Sequence, residues 1–338
     1  MIREAIGKLV DGKSLAEEEA AAVMEEIMTG EATPAQLAAF VVALRLKGET
    51  VDEIAGMARV MRAKALRVPY EGPPLLDTCG TGGDAAGTFN VSTAAAFVAA
   101  GAGAVVAKHG NRAMTSQCGS ADVLEALGAR IDMSPEQVAF CLREAGVGFM
   151  FAPSFHPAMR FAAGPRREIG VRTVFNVLGP LTNPAGAQAQ VLGVADAVLA
   201  GKMAQVLERL GCRHALVVHG EDGLDEMTLA GLTLVHELKD GALNSYRVAP
   251  EDVGLGRAEG CTVKGGSPEE NAAALRAVLA GERGAQRDIV LLNSAAALVA
   301  ADIAAHLAEG VSLAAAAIDS GAAARALERF VDVSNSFG

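Results

Sequence analysis

Residues 75 to 219 repeat one pattern, in which a short apolar run of strand-forming residues is followed by a turn and then a helical stretch. The apolar runs lie at 75–79, 104–107, 148–151, 190–194 and 215–219, and helical patterns lie at 92–101, 135–145 and 197–210. Strands that alternate with helices pack as a largely parallel sheet covered by helices. The sequence therefore predicts an α/β domain with a largely parallel central sheet flanked by helices. Residues 232–248 would add a hairpin, and helices would follow Pro268.

The N-terminal part of the chain carries only helical signals. Ser14–Glu17 and Thr50–Glu53 match the capping box that begins a helix. Thr33 precedes a proline, which suits a first helical position. Gly30 and Gly48 stand where helices would end. The pattern predicts a small helical domain ahead of the α/β domain.

A turn-rich linker, Val68–Pro74, separates the two patterns. Its prolines and glycine interrupt both helices and strands, as linkers between domains often do. We therefore place the small helical domain at residues 1–68 and the α/β domain at residues 74–338.

Charge, cysteine content and hydropathy argue against several classes of protein. The chain has 29 basic and 40 acidic residues, a net charge of −11, and no long basic run. Nucleic-acid binders need a basic face that neutralises phosphates, so we expect no nucleic-acid partner. The five cysteines, an odd number without a Cys-x-x-Cys pair, indicate reduced thiols in the cytoplasm. The longest apolar stretch, 91–107, is broken by polar residues and glycines, so we expect no membrane span.

A glycine-rich segment, Asp77–Asp84, lies between a predicted strand and a predicted helix, and Thr88–Thr93 follows it. Glycines let backbone amides approach a ligand closely. The start of a helix offers free N–H groups and the positive end of the helix dipole, which suits an anion. Gly80–Ala85 nearly matches the dinucleotide-binding motif, but Lys108 occupies the region where that motif needs an acidic residue. No Gly-Lys-Ser/Thr sequence of a Walker A loop is present.

A second polar segment, Lys108–Ser120, follows the next predicted strand. Lys108 and Arg112 supply positive charge, and several hydroxyl groups accompany them. This chemistry suits a diphosphate or a ribose phosphate. Parallel strands would bring both segments to the same edge of the sheet, where α/β proteins bind ligands.

Two adjacent carboxylates, Asp225 and Glu226, follow the strand predicted at 215–219. Mg²⁺ prefers oxygen ligands and often shares them with the phosphates of a substrate. Glu221 and Asp222 lie in the same loop, and the residue types alone leave either pair open as the magnesium site.

The most basic part of the chain runs from His156 to Asn176 and contains Arg160, Arg166, Arg167 and Arg172. Arginine binds carboxylates and phosphates through two parallel hydrogen bonds, so an anionic ligand is indicated. The residues that follow, up to Pro184, are typical of turns and packing.

The ordered set of motifs resembles the anthranilate phosphoribosyltransferase family of tryptophan biosynthesis. The motifs are Asp77–Asp84, Asn90–Thr93, Lys108–Arg112, Phe175–Pro184 and Asp225–Glu226. The resemblance spans nearly the whole chain. It implies a magnesium-dependent enzyme that transfers a phosphoribosyl group from phosphoribosyl pyrophosphate (PRPP) to the amine of anthranilate.

The resemblance also implies roles for individual residues. PRPP would be held by Gly80, Gly83, Asp84, Thr88, Asn90, Val91, Ser92, Thr93, Lys108, His109, Gly110, Asn111, Arg112, Ala113, Met114, Thr115, Ser116 and Ser120. Anthranilate would contact Gly80, Asn111 and Arg166, with His109 and His156 lining its path. Magnesium, expected as two ions, would be ligated by Ser92, Asp225 and Glu226. Arg166, Lys108 and Asn111 would be the catalytic residues.

Further expectations concern architecture and one departure from the family. The resemblance implies that part of residues 160–182 completes the small domain, and that two copies form a homodimer through that domain. Cys118 stands where the family commonly has serine, and a thiol is the weaker hydrogen-bond donor. Two alternatives are a pyrimidine nucleoside phosphorylase-like enzyme and a catalytically silent paralogue that binds nucleic acid. The Lys108–Asn111 sequence argues against the first, and the net charge of −11 against the second.

Overall fold

The computed structural model describes residues 1–84, 86–113 and 117–337. The predicted helical region is present at the N-terminus. Its helices are α1 (Ile2–Val10), α2 (Glu17–Thr29), α3 (Pro34–Lys47) and α4 (Val51–Lys64). None of the helices in these described ranges is long and apolar enough to cross a membrane.

Local capping signals place most of these helix ends where the sequence predicts them. The Thr33 hydroxyl accepts a hydrogen bond from the Gln36 N–H, and the Thr50 hydroxyl accepts one from the Glu53 N–H, each at 3.2 Å. Gly30 follows α2 with a φ of 80°, a backbone conformation that favours glycine.

The predicted capping box at Ser14–Glu17 is wrong. Helix α2 begins at Glu17, after Ala16, and the Glu19 carboxylate accepts from the Ala16 N–H at 3.0 Å. The Leu15 N–H instead donates to the Glu53 carboxylate at 2.9 Å, and the Leu15 side chain is buried. This tertiary contact keeps residues 14–16 out of the helix, because the Leu15 backbone is committed to a different partner.

The central sheet has seven strands. The five that come first in the chain run parallel to one another. They are β1 (Leu75–Gly80), β2 (Val105–Gly110), β3 (Val147–Phe151), β4 (Ala189–Gly193), β5 (His214–Gly220), β6 (Thr233–Lys239) and β7 (Ala242–Val248). Their order is β3-β2-β1-β4-β5-β6-β7, and β5, β6 and β7 pair antiparallel. The prediction of a largely parallel sheet with an added hairpin is confirmed.

Helices connect the strands and close the chain. They are α5 (Val91–Gly101), α6 (Ser120–Ala126), α7 (Pro135–Ala145), α8 (Ala152–Phe155), α9 (Arg160–Ile169), α10 (Phe175–Leu178), α11 (Ala197–Arg209), α12 (Pro268–Leu279), α13 (Ala285–Ala300), α14 (Leu307–Asp319) and α15 (Ala322–Asn335).

Two apolar clusters lie on opposite faces of the sheet. One joins β1 to β3 with α5, α7 and the C-terminal helices. The other joins the N-terminal helices and α11 with side chains of β4 and β5 such as Leu192 and Val217. Leu216 and Val217 are consecutive residues of β5 and belong to different clusters, because successive side chains of a strand point to opposite faces of the sheet.

The segment after β3 returns to the N-terminal helices. Ala162 of α9 and Val174, Phe175 and Leu178 around α10 are buried in the same cluster as α2, α3 and α4. The contribution of part of residues 160–182 to the small domain, and the bounds of that domain, stay a prediction.

Glu53 connects the N-terminal helices through buried polar contacts. Its side chain is inaccessible to solvent and accepts hydrogen bonds from the N–H groups of Leu15 and Thr50, at 2.9 and 2.8 Å. The Lys47 ammonium, itself only 7% exposed, donates to the same carboxylate at 2.9 Å. The contacts link α3 and α4 to the chain that leads into α2.

Replacing Glu53 with alanine should lower the free energy of unfolding by about 3–5 kcal/mol, because a buried ammonium and two backbone N–H groups lose their partner. Urea unfolding measures this change. Glu18→Ala is the matched control, since its ion pair with Arg59 is exposed and should contribute little. Similar losses in both variants would contradict the anchoring role of Glu53.

Candidate active site

The polar segments meet at one edge of the sheet. β1 and β2 are neighbouring parallel strands, and β1 also pairs with β4, which pairs with β5. Parallel strands place their carboxyl ends on the same edge. The loops that follow Gly80, Gly110 and Gly220 therefore leave the same edge of the sheet, as the alternation of strands and helices predicts.

Asp225 is packed against two glycines at strand ends. A Cβ atom added to Gly80 would meet the Asp225 carboxylate, and one added to Gly193 would meet the Asp225 backbone carbonyl. The carboxylate also accepts a hydrogen bond from the Gly82 N–H at 2.7 Å. The acidic loop after β5 is thus held directly against the glycine-rich segment after β1.

The Glu226 side chain lies against the N-terminus of α5. Its Oε1 accepts from the Ser92 N–H at 3.2 Å, while the Val91 and Thr93 N–H groups donate to backbone carbonyls. The free N–H groups expected at this helix start therefore already have partners. The anion at the positive end of the helix dipole is a carboxylate of the protein itself.

Lys108 lies beneath these carboxylates and is almost completely buried. Its ammonium donates to the Thr78 carbonyl and to the Ser92 hydroxyl, the latter at 3.2 Å. Burial lowers the pKa of Lys108, and the nearby Asp77 carboxylate opposes that change. The Lys108 ammonium, which extends from β2, therefore contacts Ser92 from within the sheet.

Burial raises the pKa of Asp225 to about 7 and that of Glu226 to about 8. Repulsion adds to burial, from Asp84 on Asp225 and from Asp225 on Glu226. The raised pKa values mean that the surrounding residues stabilise the ionised forms of the two carboxylates poorly. A cation bound beside the two carboxylates would favour their ionised forms and lower both pKa values.

The donor set fits magnesium better than a metal held by protein alone. Among the described residues, no group of three or more His, Cys, Asp or Glu side chains is arranged to hold a metal. Asp225, Glu226 and the Ser92 hydroxyl offer oxygen ligands from two neighbouring segments, which suits an ion that takes its other ligands from water and phosphates.

The other acidic pair of the loop is engaged elsewhere. Glu221 pairs with Arg247 at 3.1 Å on an exposed surface. Asp222 accepts from the Thr228 hydroxyl at 2.7 Å and stabilises the turn after β5. The geometry therefore favours Asp225 and Glu226 as the carboxylates of the site.

The arginine of the segment after β2 has acidic partners within the protein. Arg112 forms ion pairs with Asp122 and Glu125, so its charge is already neutralised by the protein. The Ser120 hydroxyl donates to the Asn111 carbonyl at 3.3 Å. The predicted ligands Met114, Thr115 and Ser116 lie outside the described residues.

Cys118 and Asn90 join the two polar segments. The Cys118 thiol donates to the Asn90 Oδ1 at 3.3 Å, and the Asn90 amide donates to the Cys118 carbonyl at 3.3 Å. Asn271 also donates to Asn90 Oδ1, at 3.0 Å. In this structure the cysteine side chain supports Asn90, and both side chains are engaged within the protein.

The remaining predicted PRPP ligands contribute in different ways. Val91 and Thr93 have buried side chains. Thr88, which follows the glycine-rich segment, forms an isolated β-bridge with Lys264. Asp84 accepts from the Ala86 N–H at 3.2 Å. Gly110 leaves room for the Ser120 hydroxyl.

His109 and His156 form a buried pair. Their Nε2 atoms lie 3.2 Å apart, and one of them donates to the other. Burial lowers the pKa of His109 to about 3 and that of His156 to about 4, so both rings are neutral at physiological pH.

Two residues with supporting roles, Asp77 and Asn183, carried no assignment from the sequence. Asp77 is fully buried, accepts from the His109 N–H at 3.2 Å and accepts from the Asn183 amide at 2.8 Å. Burial raises the pKa of Asp77 to about 6. Asp77 lies within a predicted apolar strand, and this position could have indicated its supporting role, because a buried carboxylate needs hydrogen-bond partners.

The four arginines of the basic segment, Arg160, Arg166, Arg167 and Arg172, have no ion-pair partner within the described ranges, and two of them lie near the site. Arg166 lies over the Phe175 ring at 5.1 Å, and burial lowers its pKa. Arg172 lies against Gly83 of the glycine-rich segment. Neither guanidinium forms a hydrogen bond or an ion pair with any residue in the described ranges. Both are available to an anionic ligand.

Comparisons with known proteins agree over the whole chain. Residues 72–324 match the model of the glycosyl transferase family α/β domain, and residues 3–65 match that of the glycosyl transferase family helical bundle domain. The chain is 63% identical over 335 residues to an anthranilate phosphoribosyltransferase of Chloroflexus aggregans, with 98% of each chain covered.

Solved structures have the same fold. The crystal structure of anthranilate phosphoribosyltransferase from Thermus thermophilus has a TM-score of 0.93 and 50% identity, covering 98% of this chain and 99% of that one. The enzyme from Saccharomyces cerevisiae, in complex with PRPP and Mg, has a TM-score of 0.91 and 29% identity, covering 99% and 98%. Its complex with 4-fluoroanthranilate has a TM-score of 0.89 and 28% identity, with the same coverage.

The carboxylate pair should destabilise the metal-free protein at alkaline pH. Raised pKa values mean that the folded state binds more protons than the unfolded state, so stability falls as pH rises towards about 7 and 8. The double variant Asp225→Asn, Glu226→Gln should melt above wild type, by about 2–4 °C for each kcal/mol recovered, with a larger gap at higher pH.

Thermal unfolding in a chelator across this pH range measures the effect. The matched control is Glu221→Gln, which removes an exposed carboxylate of the same loop and should leave the pH dependence unchanged. Parallel curves for wild type and the double variant would show that the two carboxylates ionise as freely in the folded chain as in the unfolded one.

Proposed function

The chain belongs to the anthranilate phosphoribosyltransferase family, and on that premise we propose that it transfers the phosphoribosyl group of PRPP to the amine of anthranilate in tryptophan biosynthesis. The products are N-(5-phosphoribosyl)anthranilate and pyrophosphate. The observation that carries the proposal is the buried Asp225 and Glu226 pair, set between the glycine-rich segment and the start of α5. Full-length relatives that share this fold carry the same activity in their names.

PRPP would bind across the loops that follow β1 and β2. The proposed contacts are Gly80, Gly83, Asp84, Thr88, residues 90–93, residues 108–116 and Ser120. Support comes from the adjacency of the two strands and from the bonds between Asn90 and Cys118 that hold the loops together. The complex of the yeast relative with PRPP adds to this support.

Magnesium would be held by Ser92, Asp225 and Glu226, with two ions expected in turnover. The raised pKa values of the two carboxylates and the complex of the yeast relative with Mg support this assignment. When bound, the metal would neutralise charge on the phosphates of the donor. Lys108 would add a fixed positive charge on the sheet side of Ser92.

Anthranilate would lie between Gly80, Asn111 and Arg166, with His109 and His156 along its path. The Arg166 guanidinium, which has no ion-pair partner among the described residues, is suited to the anthranilate carboxylate, because arginine binds carboxylates through two parallel bonds. The neutral histidine pair adds no competing positive charge. The yeast relative has been solved with 4-fluoroanthranilate, an analogue of this acceptor.

The chain's own residues would act mainly by positioning and by stabilising the leaving group. The amine of an aryl ring is weakly basic and therefore neutral near pH 7, so no base is required before attack. The amine nitrogen forms a bond to the anomeric carbon while the bond from that carbon to pyrophosphate breaks. The nitrogen then loses one of its two protons to water or to the departing pyrophosphate. Arg166 and Asn111 would hold the acceptor in line, and Lys108 would favour the charge that develops on pyrophosphate.

We expect a cytoplasmic homodimer that associates through the N-terminal helices. Val10 and Leu46, at 72% and 82% exposure, place large apolar side chains on the surface of that region. The four cysteines with described side chains form no disulfide, which is consistent with a reducing compartment.

Loss of anthranilate fluorescence tests the proposed reaction directly. Purified protein mixed with PRPP, anthranilate and Mg²⁺ should consume the fluorescence, and omission of any one component should abolish the decay. The Asp225→Asn, Glu226→Gln variant should be inactive, whereas Glu221→Gln should remain active. Phosphate-dependent cleavage of thymidine without anthranilate turnover would favour a nucleoside phosphorylase. A salt-dependent gel shift with DNA and no turnover would favour the silent paralogue.

Replacing Arg166 with alanine should raise the Michaelis constant for anthranilate about tenfold or more and that for PRPP much less, because one charge-assisted contact to the acceptor is lost. Steady-state kinetics with each substrate varied in turn measures the split. Arg167→Ala, an exposed neighbour on the same helix, is the control. An equal rise for both substrates would remove Arg166 from the acceptor site.

A further inference from the structure

Arg172 is a cation that lies directly on the glycine-rich segment. Its guanidinium packs so closely on Gly83 that a Cβ atom at residue 83 would overlap it. Gly83 also has a φ of 78°, so both its backbone conformation and its surroundings require glycine. Arg172 belongs to the segment between α9 and α10, far along the chain from Gly83.

Lys108 and Arg112, the two cations of the segment that follows β2, are already bonded to the protein. Lys108 is buried and donates to Thr78 and Ser92. Arg112 is paired with Asp122 and Glu125. Arg172 is exposed and has no hydrogen-bond or ion-pair partner within the described ranges. It is therefore the guanidinium beside the glycine-rich segment whose donors remain free for a ligand.

We propose that Arg172 is a further donor-binding residue, which contacts a phosphate of PRPP at the glycine-rich segment and stays on the pyrophosphate as it leaves. This inference rests on the proposed function. The carboxylates of Asp225 and Glu226 accept hydrogen bonds beside the same segment and cannot donate one to a phosphate. A free guanidinium on the glycine-rich segment supplies bidentate contacts that the carboxylates cannot.

The position of Arg172 also separates its role from that of Arg166. Arg166 lies over Phe175, whereas Arg172 contacts the loop that follows β1. One short segment thus places one arginine for the acceptor carboxylate and one for the donor phosphate. Val174 and Phe175 anchor this segment in the cluster of the N-terminal helices, so Arg172 reaches the donor from the helical side of the site.

Direct binding of inorganic pyrophosphate provides the test. Calorimetry with pyrophosphate and Mg²⁺, without acceptor, should show about tenfold weaker binding for Arg172→Ala than for wild type. Arg172→Lys should recover part of that affinity, because it keeps the charge and loses the planar fork. Arg167→Ala, an exposed arginine with no polar partner in the described ranges, should bind like wild type.

Kinetics should show the same selectivity. Arg172→Ala should raise the Michaelis constant for PRPP about tenfold and leave that for anthranilate nearly unchanged, the reverse of Arg166→Ala. Unchanged or tighter pyrophosphate binding by Arg172→Ala, with an unchanged melting temperature, would overturn the proposal. A wild-type protein that binds pyrophosphate without consuming anthranilate would instead contradict the proposed reaction, because the binding assay does not depend on the acceptor.

Discussion

The arrangement of the site depends on two glycines that leave room for one aspartate. Gly80 ends β1 and Gly193 ends β4, and Asp225 packs against both so closely that a Cβ atom at either position would collide with it. This contact brings the acidic loop after β5 against the glycine-rich segment and sets Glu226 at the start of α5. Donor loops, carboxylates and helix start are therefore fixed relative to one another by two strand ends without side chains.

Opposite charges buried at this edge account for how an acidic chain can bind a polyanion. Lys108 lies on the sheet side, while Asp225 and Glu226 face the loops and have raised pKa values. A bound cation would stabilise the ionised forms of these two carboxylates and would in turn attract phosphates. The net charge of −11 is a sum over the whole chain and does not give the arrangement of charges at this edge of the sheet.

Much of this arrangement was predictable from local sequence, because strand–helix alternation fixes which loops share an edge. The parallel sheet and the adjacency of the loops after β1 and β2 follow from that rule. Tertiary contacts that no local pattern encodes were not predictable. The Leu15 N–H donates to the Glu53 carboxylate, and Arg112 forms an ion pair with Glu125 of α6. The Asn183 amide donates to the Asp77 carboxylate. In each case a distant partner overrides or completes what the local residues suggest.

The return of α9 and α10 to the N-terminal helices bears on how such a chain can evolve. The apolar cluster of those helices is completed by Val174, Phe175 and Leu178, and by strand residues such as Val217. A recombination event that exchanged only the N-terminal helices would separate side chains that share one core. An exchange that keeps this core complete would have to include both segments, whereas insertions are better tolerated in surface loops such as the turn between β6 and β7.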